Sequence, residues 1–171
     1  MRHVSPSGLG TPPIVTAPVN PMAFEYLSCP VCGNKVKSYR NPVPTVDIII
    51  EVPAGIVLVE RKNEPLGWAL PGGFVDYGET LEHAAAREAL EETSLVIAGL
   101  RLLGCYSDPA RDPRHQTIST VYVATGSGTP QAGDDAAHLG VFPIASLPEH
   151  LCFDHHKILM DYARRKHAGE F

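Results

Sequence analysis

The spacing of hydrophobic and polar positions changes several times along the chain, and each change marks a predicted element. The stretch "VPTVDIIIEV" has alternate apolar positions on one face, which is the period of a β-strand. These positions are Val46, Ile48, Ile50 and Val52, and the other face carries Asp47, Ile49 and Glu51. A second strand, "GIVLVERK", follows the short break "PAG". The two segments are therefore predicted to form a hairpin or neighbouring strands.

After Gly78 the apolar spacing becomes helical. Thr80 is a suitable N-cap, and Glu82 stands in the first turn, where a negative charge is favourable. The apolar stripe consists of Leu81, Ala84, Ala85 and Ala89. The pattern predicts a helix over about residues 81–93.

The rest of the chain mixes strand and helix patterns. "LVIAGLRLLGCYSD" and "HQTISTVYVATG" resemble strands, the polar "GSGTPQAGDDAAH" is a break, "LGVFPI" is a short strand, and "DHHKILMDYARRKH" is a second helix. The first 22 residues contain five prolines and no apolar period, so residues 1–22 are predicted to be an irregular or disordered arm. The order of elements lacks the regular strand-helix alternation of a doubly wound sheet and predicts another α/β fold.

Composition narrows the function classes. A chain of 171 residues, 44% hydrophobic and 19% charged, is sufficient for one domain with a core. Its net charge of −5 gives no basic excess for binding nucleic acid. No run approaches the roughly 20 apolar residues of a membrane span, and "MRHVSPSGLG" lacks the apolar core of a signal peptide. We therefore expect a cytoplasmic protein with a small-molecule partner.

The four cysteines are too few and too unevenly spaced for a disulfide framework. Cys29 and Cys32, in "CPVCG", have the spacing of a zinc knuckle, and residues 23–40 form a partial, zinc-ribbon-like segment. A closed zinc site needs four ligands, so zinc would have to be shared across a homodimer or completed by a histidine. The favoured alternative is a turn with two free thiols.

Three glutamates share one face of the first predicted helix. Glu91 and Glu92 follow Glu88 by three and four residues, a spacing at which like charges repel. Arg87 can pair with Glu91, but one guanidinium cannot neutralise three carboxylates. The excess charge suits a hard divalent cation, Mg²⁺ or Mn²⁺, and Gly72 and Gly73 allow backbone to approach a metal or a phosphate. Together these residues predict a diphosphate site.

The same residues resemble the signature of the Nudix hydrolases, G-x5-E-x7-R-E-U-x-E-E-x-G-U, in which U is a bulky apolar residue. The six matching fixed positions are Gly73, Glu79, Arg87, Glu88, Glu91 and Glu92. Ala89 stands at the first U position, and Ser94 replaces the last glycine.

The resemblance implies an α/β/α sandwich with a mixed sheet over residues 41–171, and hydrolysis of a nucleoside diphosphate linked to another group. It implies that Glu88, Glu91, Glu92 and the Gly72 carbonyl bind Mg²⁺, that Glu79 supports the site and that Arg87 orients the glutamates. The general base is expected in the loop before the last strand, at Asp134 or Asp135. Glu149 lies further on, and Glu88 is the fallback.

A second resemblance concerns the substrate. "YSDPARDPRHQTIS", together with "RKNEPLGWALPGGFVDYGE", resembles the branch of the family that acts on ADP-ribose, which implies AMP and ribose 5-phosphate as products. Arg111 and Arg114 could donate to phosphate, Gly73 could approach it, and an aromatic side chain could stack on adenine. The aromatic candidates are Trp68, Tyr77 and Tyr106.

Other interpretations stay open. "DPARDPR" could be a surface loop with solvated arginines. NADH, other nucleotide sugars and oxidised nucleotides are rival substrates, and a non-catalytic ADP-ribose sensor is the alternative of another class. Related repressors place a winged helix after such a domain, but only a few residues follow the last predicted helix.

Four histidines are candidate functional residues. His155 and His156 could be ligands or an acid-base pair, but a helix start capped by Asp154 is the preferred interpretation. His115 lies in the proposed substrate loop. His83 is out of phase with the acidic face of its helix.

Overall fold

The structure is a computed structural model that describes residues 24–133 and 136–171. The predicted arm over residues 1–22 lies outside the described residues. The chain divides into two compact units, Met1–Asn41 and Pro42–Phe171.

The described part of the first unit is an antiparallel hairpin of β1 (Phe24–Ser28) and β2 (Lys35–Tyr39). The predicted knuckle is the turn of this hairpin. The Cys29 amide donates to the Asn34 carbonyl at 2.9 Å, and the Gly33 amide donates to the Cys29 carbonyl at 2.9 Å. The sequence predicted the turn but not its two strands.

The second unit contains a seven-stranded mixed sheet and two helices. The strands are β3 (Val43–Val52), β4 (Gly55–Arg61), β5 (Trp68–Ala69), β6 (Gly72–Phe74), β7 (Val96–Tyr106), β8 (Thr117–Ser127) and β9 (Ala136–Phe142). The helices are α1 (Leu81–Thr93) and α2 (His155–His167). The order is β5-β4-β3-β8-β7, with β6 paired to β3 and β9 to β4. β3 and β8 are parallel, and the other paired strands of this sheet are antiparallel.

One helix covers each face of the sheet. Since side chains alternate along a strand, Ile48 and Ile50 of β3 pack with the alanines of α1, whereas Ile49 packs with Leu159 and Tyr162 of α2. The predicted α/β/α sandwich with a mixed sheet is confirmed. The face of β3 that carries Asp47 and Ile49 is buried as well, because α2 covers it.

The first helix has the predicted bounds. The Thr80 hydroxyl accepts from the His83 amide at 3.2 Å, which caps the helix start. β9 begins earlier than predicted, inside the polar break, because it pairs with β4 along most of its length. No helix in the described ranges is long and apolar enough to cross a membrane.

Candidate active site

Arg87 lies at the centre of the acidic cluster. Its Nε and Nη2 donate to the two carboxylate oxygens of Glu79 at 3.0 Å each, and Nη1 donates to Glu88 at 2.7 Å. The predicted pair with Glu91 is present but longer, at 3.3 Å. Nη2 also donates to the Phe74 carbonyl at 3.0 Å, which attaches α1 to the end of β6. The hydrogen bond to Glu79 is the largest cause that raises the pKa of Arg87; burial opposes the rise, and Glu88 adds to it. The guanidinium therefore stays charged.

The two glycines before α1 permit close approaches that any Cβ would block. A Cβ on Gly73 would lie 2.5 Å from Glu88 Oε1, so the Glu88 carboxylate rests directly on the β6 backbone. A Cβ on Gly72 would lie 2.2 Å from the Val46 carbonyl oxygen. The Gly72 amide donates to Glu92 Oε2 at 3.0 Å. Backbone and carboxylates are therefore held together at this edge of the sheet.

The charge on this face is only partly compensated. Burial raises the pKa of Glu88, and Glu91 and Glu79 add to the rise while Arg87 opposes it. Burial raises the pKa of Glu92 to about 7, with the Gly72 amide opposing and Glu88 adding. A cation at this face would favour the charged form of both carboxylates and so oppose both shifts.

The donor set fits a hard divalent cation. Within the described ranges, no three His, Cys, Asp or Glu side chains already converge as a metal centre. Glu88 and Glu91 each direct one oxygen at Arg87, through Oε1 and Oε2 respectively, and Glu92 directs Oε2 at the Gly72 amide. Oxygen ligands and incompletely neutralised carboxylates are what Mg²⁺ and Mn²⁺ bind.

A pocket of about 140 Å³ opens beside Gly72 and Gly73. Arg61 and Arg114 line this pocket and also a second one of about 280 Å³, which reaches Glu92. Arg61 and Arg114 thus border both pockets next to the acidic cluster, and a diphosphate would be complementary to these cationic side chains.

Arg111, a predicted phosphate donor, is bound by carboxylates. Its side chain is buried and ion-paired, with Nη2 at 2.8 Å from Asp154 Oδ1 and 3.1 Å from Asp47 Oδ2. Nη1 donates to the Thr117 hydroxyl at 2.9 Å. Arg111 also lines the pocket of about 140 Å³, so its phosphate role stays a prediction. Arg114 pairs with Asp112 at 2.8 Å but is 39% exposed and borders both pockets, so its phosphate role stays a prediction.

The three predicted aromatic residues have different surroundings. Trp68 packs edge-on against Phe142, with ring centroids 4.9 Å apart. Tyr77 is fully exposed. Tyr106 is buried, donates to Asp161 at 3.1 Å and borders a separate pocket of about 340 Å³. No single adenine platform follows from these three positions.

The histidine interpretation changes most at His155. It is buried, its Nδ1 accepts from the Leu70 amide at 2.9 Å, and its Nε2 lies 3.4 Å from Asp47 Oδ1. Asp154 stands at the N-cap position but makes no side-chain cap, because its carboxylate binds Arg111. The expectation that Asp154 caps the helix was therefore wrong.

The other predicted positions are placed as follows. His156 is exposed, His115 stacks on Phe74 with centroids 5.7 Å apart, and His83 lies 3.3 Å from Glu79. Asp134 and Asp135 lie outside the described residues, and Glu149 is exposed.

For Cys29 and Cys32, the described ranges supply no third ligand group. Hydrogen bonds from backbone amides of the turn, mainly that of Cys32, lower the pKa of Cys29. Zinc at this hairpin stays a prediction.

Two residues near the pocket, Asp47 and Arg61, were not predicted from the sequence, and neither was the pairing of Asp154 with Arg111. Asp47 had a signal, since it is a lone carboxylate within an apolar run. Burial would raise its pKa, but His155, Arg111 and Ser119 lower it to about 2. Arg61 had no comparable signal.

The sequence profile described as the NUDIX domain matches residues 41–162. The chain belongs to the Nudix family. This Nudix pyrophosphohydrolase is 47% identical over 137 residues to the ADP-ribose pyrophosphatase of Methanocaldococcus jannaschii, covering 78% of this chain and 80% of that protein. It is 33% identical to the ADPR responsive transcriptional repressor NtrR of Acinetobacter baylyi over 71% of this chain and 53% of the repressor.

Among solved structures, the Nudix domain of Shewanella oneidensis NrtR complexed with ADP ribose superposes with a TM-score of 0.67 at 28% identity. The match covers 75% of this chain and 90% of that domain. The Nudix residues Gly73, Glu79 and Arg87 therefore lie in a fold that the family shares.

Proposed function

We propose that this Nudix protein is a metal-dependent enzyme that hydrolyses ADP-ribose to AMP and ribose 5-phosphate. The observation that carries the proposal is the acidic face of α1, which meets Gly72 and Gly73 beside a pocket bordered by Arg61 and Arg114. The choice of substrate is supported by the relative named ADP-ribose pyrophosphatase, which matches most of this chain.

The residues of the cluster have separate proposed roles. Glu88, Glu91, Glu92 and the Gly72 carbonyl hold Mg²⁺ or Mn²⁺, which would neutralise phosphate charge and make a bound water more acidic. Arg87 keeps Glu88 and Glu79 in place through its contacts of 2.7 and 3.0 Å.

The proposed reaction moves one water into the diphosphate. The water oxygen forms a bond to one phosphorus, the bond from that phosphorus to the bridging oxygen breaks, and the other phosphate leaves with the bridging oxygen. The proposed acceptor of the water proton is Asp134 or Asp135, with Glu88 as the second candidate. Gly133, which precedes the pair, donates to the Glu92 carbonyl at 3.0 Å, and this contact supports a base near the metal ligands.

The test of the substrate is a Mg²⁺-supplemented panel of ADP-ribose, NADH, nucleoside-diphosphate sugars and oxidised nucleoside triphosphates. We expect ADP-ribose to have the highest kcat/KM, with AMP and ribose 5-phosphate formed in equal amounts. Turnover should stop when the divalent cation is chelated. A higher kcat/KM for another member of the panel would replace ADP-ribose as the substrate.

The test of the metal role is Glu92→Gln, compared with Glu82→Gln as a control on the same helix. Glu82 is exposed and accepts from the Tyr122 hydroxyl, a contact that glutamine can keep. We expect Glu92→Gln to lower kcat/KM by about 100-fold, the effect of losing one electrostatic contact to the transition state, and Glu82→Gln to change it little. Native turnover by Glu91→Gln and Glu92→Gln would contradict the role of both residues.

A second candidate is a non-catalytic ADP-ribose sensor. The likeness to NtrR and to the ADP-ribose complex of NrtR favours it. Measuring AMP release in the presence of Mg²⁺ distinguishes the two functions, since a sensor would bind ADP-ribose and release no AMP. The complete set of charged Nudix positions supports the enzyme.

A further inference from the structure

His155, the first residue of α2, reaches the segment that leads into the two glycines. The side chain is 2% exposed, and its Nδ1 accepts from the Leu70 amide at 2.9 Å. Leu70 is also buried, so its N–H would lack a partner without this contact, at a cost of about 1–3 kcal/mol.

The segment from Leu70 to Gly72 is held from three directions. The Leu70 amide is bound to α2, the Pro71 carbonyl accepts from the Ile48 amide of β3 at 2.8 Å, and the Gly72 amide donates to Glu92 of α1 at 3.0 Å. Pro71 has no amide hydrogen, so the Leu70 N–H is the last backbone donor before that of Gly72. The contact with His155 therefore fixes the chain directly before the metal-binding loop.

The other ring nitrogen faces the same loop. Because Nδ1 accepts a hydrogen bond, the ring proton of neutral His155 lies on Nε2. Nε2 is 3.4 Å from Asp47 Oδ1 and has no hydrogen-bond partner in the part of the chain that the structure describes. A Cβ on Gly72 would lie 3.1 Å from the same Asp47 oxygen. The ring thus stands behind Gly72, at the floor of the pocket of about 140 Å³.

Asp47 is held firmly from its other side. Its Oδ2 accepts from Ser119 at 2.5 Å and from Arg111 at 3.1 Å, and Arg111 is bound in turn by Asp154, the neighbour of His155. A shift of α2 would therefore be transmitted to the metal loop through the Leu70 amide and through this ion pair.

We propose that His155 is a positioning residue for divalent-cation binding: through the Leu70 amide it holds the Gly72 carbonyl and the Gly72–Glu92 contact in the geometry that binds the ion. This inference deepens the proposed function and rests on it for the identity of the metal ligands. In this role His155 acts through the Leu70 amide and does not itself bind the ion.

The test compares His155→Asn with His155→Gln in the full chain. The asparagine amide oxygen falls near the position of Nδ1 and can still accept from Leu70, whereas the glutamine amide falls near Nε2. The readout is Mn²⁺ binding without substrate, followed by electron paramagnetic resonance. We expect His155→Gln to weaken Mn²⁺ binding about tenfold, as for other groups that support metal ligands, and His155→Asn to stay close to the wild type.

His156→Gln is the matched control, since His156 is exposed on the next position of the same helix. It should bind Mn²⁺ as the wild type does. If His155→Gln folds and keeps the Mn²⁺ affinity of the wild type, the inference is wrong even if the variant unfolds at a lower temperature. Equal losses in both His155 variants would also overturn it, because the Nδ1 acceptor would then not be the determining group.

A measurement on the unmutated protein covers the case in which the variants do not fold. Nuclear magnetic resonance should detect a coupling across the hydrogen bond from the Leu70 amide nitrogen to His155 Nδ1. Both resonances should shift as Mg²⁺ saturates the protein, and unmoved resonances would overturn the inference. If Mn²⁺ binds as expected but ADP-ribose is not hydrolysed, the proposed function fails while the positioning role stands.

Discussion

Gly73 shows how one missing side chain shapes the candidate active site. The Glu88 carboxylate lies 2.5 Å from where a Cβ would stand, so the absence of a side chain at this Nudix glycine leaves room for a proposed metal ligand. Its φ is not in the left-handed region, so the backbone alone does not require glycine here.

We expect Gly73→Ala to separate activity from stability. The new methyl group meets the flexible end of Glu88, which can turn away at little cost to folding, but the turn removes a proposed metal ligand. Activity should fall by about 100-fold, as for a misplacement of about 1 Å, while the thermal midpoint changes little. The measurements are kcat/KM and thermal unfolding of the same preparation.

Gly104→Ala is the control, since a Cβ there would lie 3.9 Å from the Tyr106 ring, an ordinary contact. It should retain both activity and stability. An active Gly73→Ala protein would show that the position of Glu88 in this structure is not needed for metal binding.

At the scale of elements, the end of α1 explains the one glycine of the signature that this chain lacks. Ser94 adopts φ 59° and ψ 16°, the left-handed conformation, and its amide donates to the Leu90 carbonyl at 2.9 Å. Glycine favours this conformation because it has no Cβ. Ser94 is the C-cap and not one of the proposed metal ligands, so we expect the substitution to cost stability and not chemistry.

We expect Ser94→Gly to stabilise the protein by about 0.5 to 1 kcal/mol. The left-handed conformation costs a residue with a Cβ about 1–2 kcal/mol, and glycine removes this cost. The greater conformational freedom of glycine in the unfolded chain offsets part of the resulting stabilisation. The free energy of unfolding in urea measures the effect. Ser94→Ala, which keeps the Cβ, should give no gain, and equal values for both variants would contradict this explanation.

The second helix shows what a local pattern leaves out. Its apolar side, with Ile158, Leu159 and Tyr162, was predicted and packs on the sheet. The use of Asp154 and His155 was not predicted, because their partners Arg111 and Leu70 are 43 and 85 residues away.

At the scale of the whole molecule, the seven-stranded sheet and both helices belong to the unit Pro42–Phe171. We expect a truncated chain beginning at Pro42 to fold, with a thermal midpoint within about 4 °C of that of the full chain, which is about 1 kcal/mol. Its kcat/KM for the substrate of the full chain should be unchanged. Any zinc bound by Cys29 and Cys32 should be absent from it.

Circular dichroism, turnover and metal analysis of the two chains check this expectation. A large loss of turnover in a folded, truncated chain would mean that Met1–Asn41 contributes to catalysis. Zinc retained after truncation would assign that metal to another place in the chain.

The sequence by itself determined α1 and its acidic face, since helical period, N-cap and the spacing of Glu88, Glu91 and Glu92 are local properties of one segment. It also determined the family, because the signature runs along one short segment, from Gly73 of β6 to Leu95 just after that helix. Only the tertiary structure decided that β3 and β8 pair in parallel and that Arg111 is bound between Asp47 and Asp154. Such partners are chosen by packing and charge compensation between distant segments, and no local spacing encodes that choice.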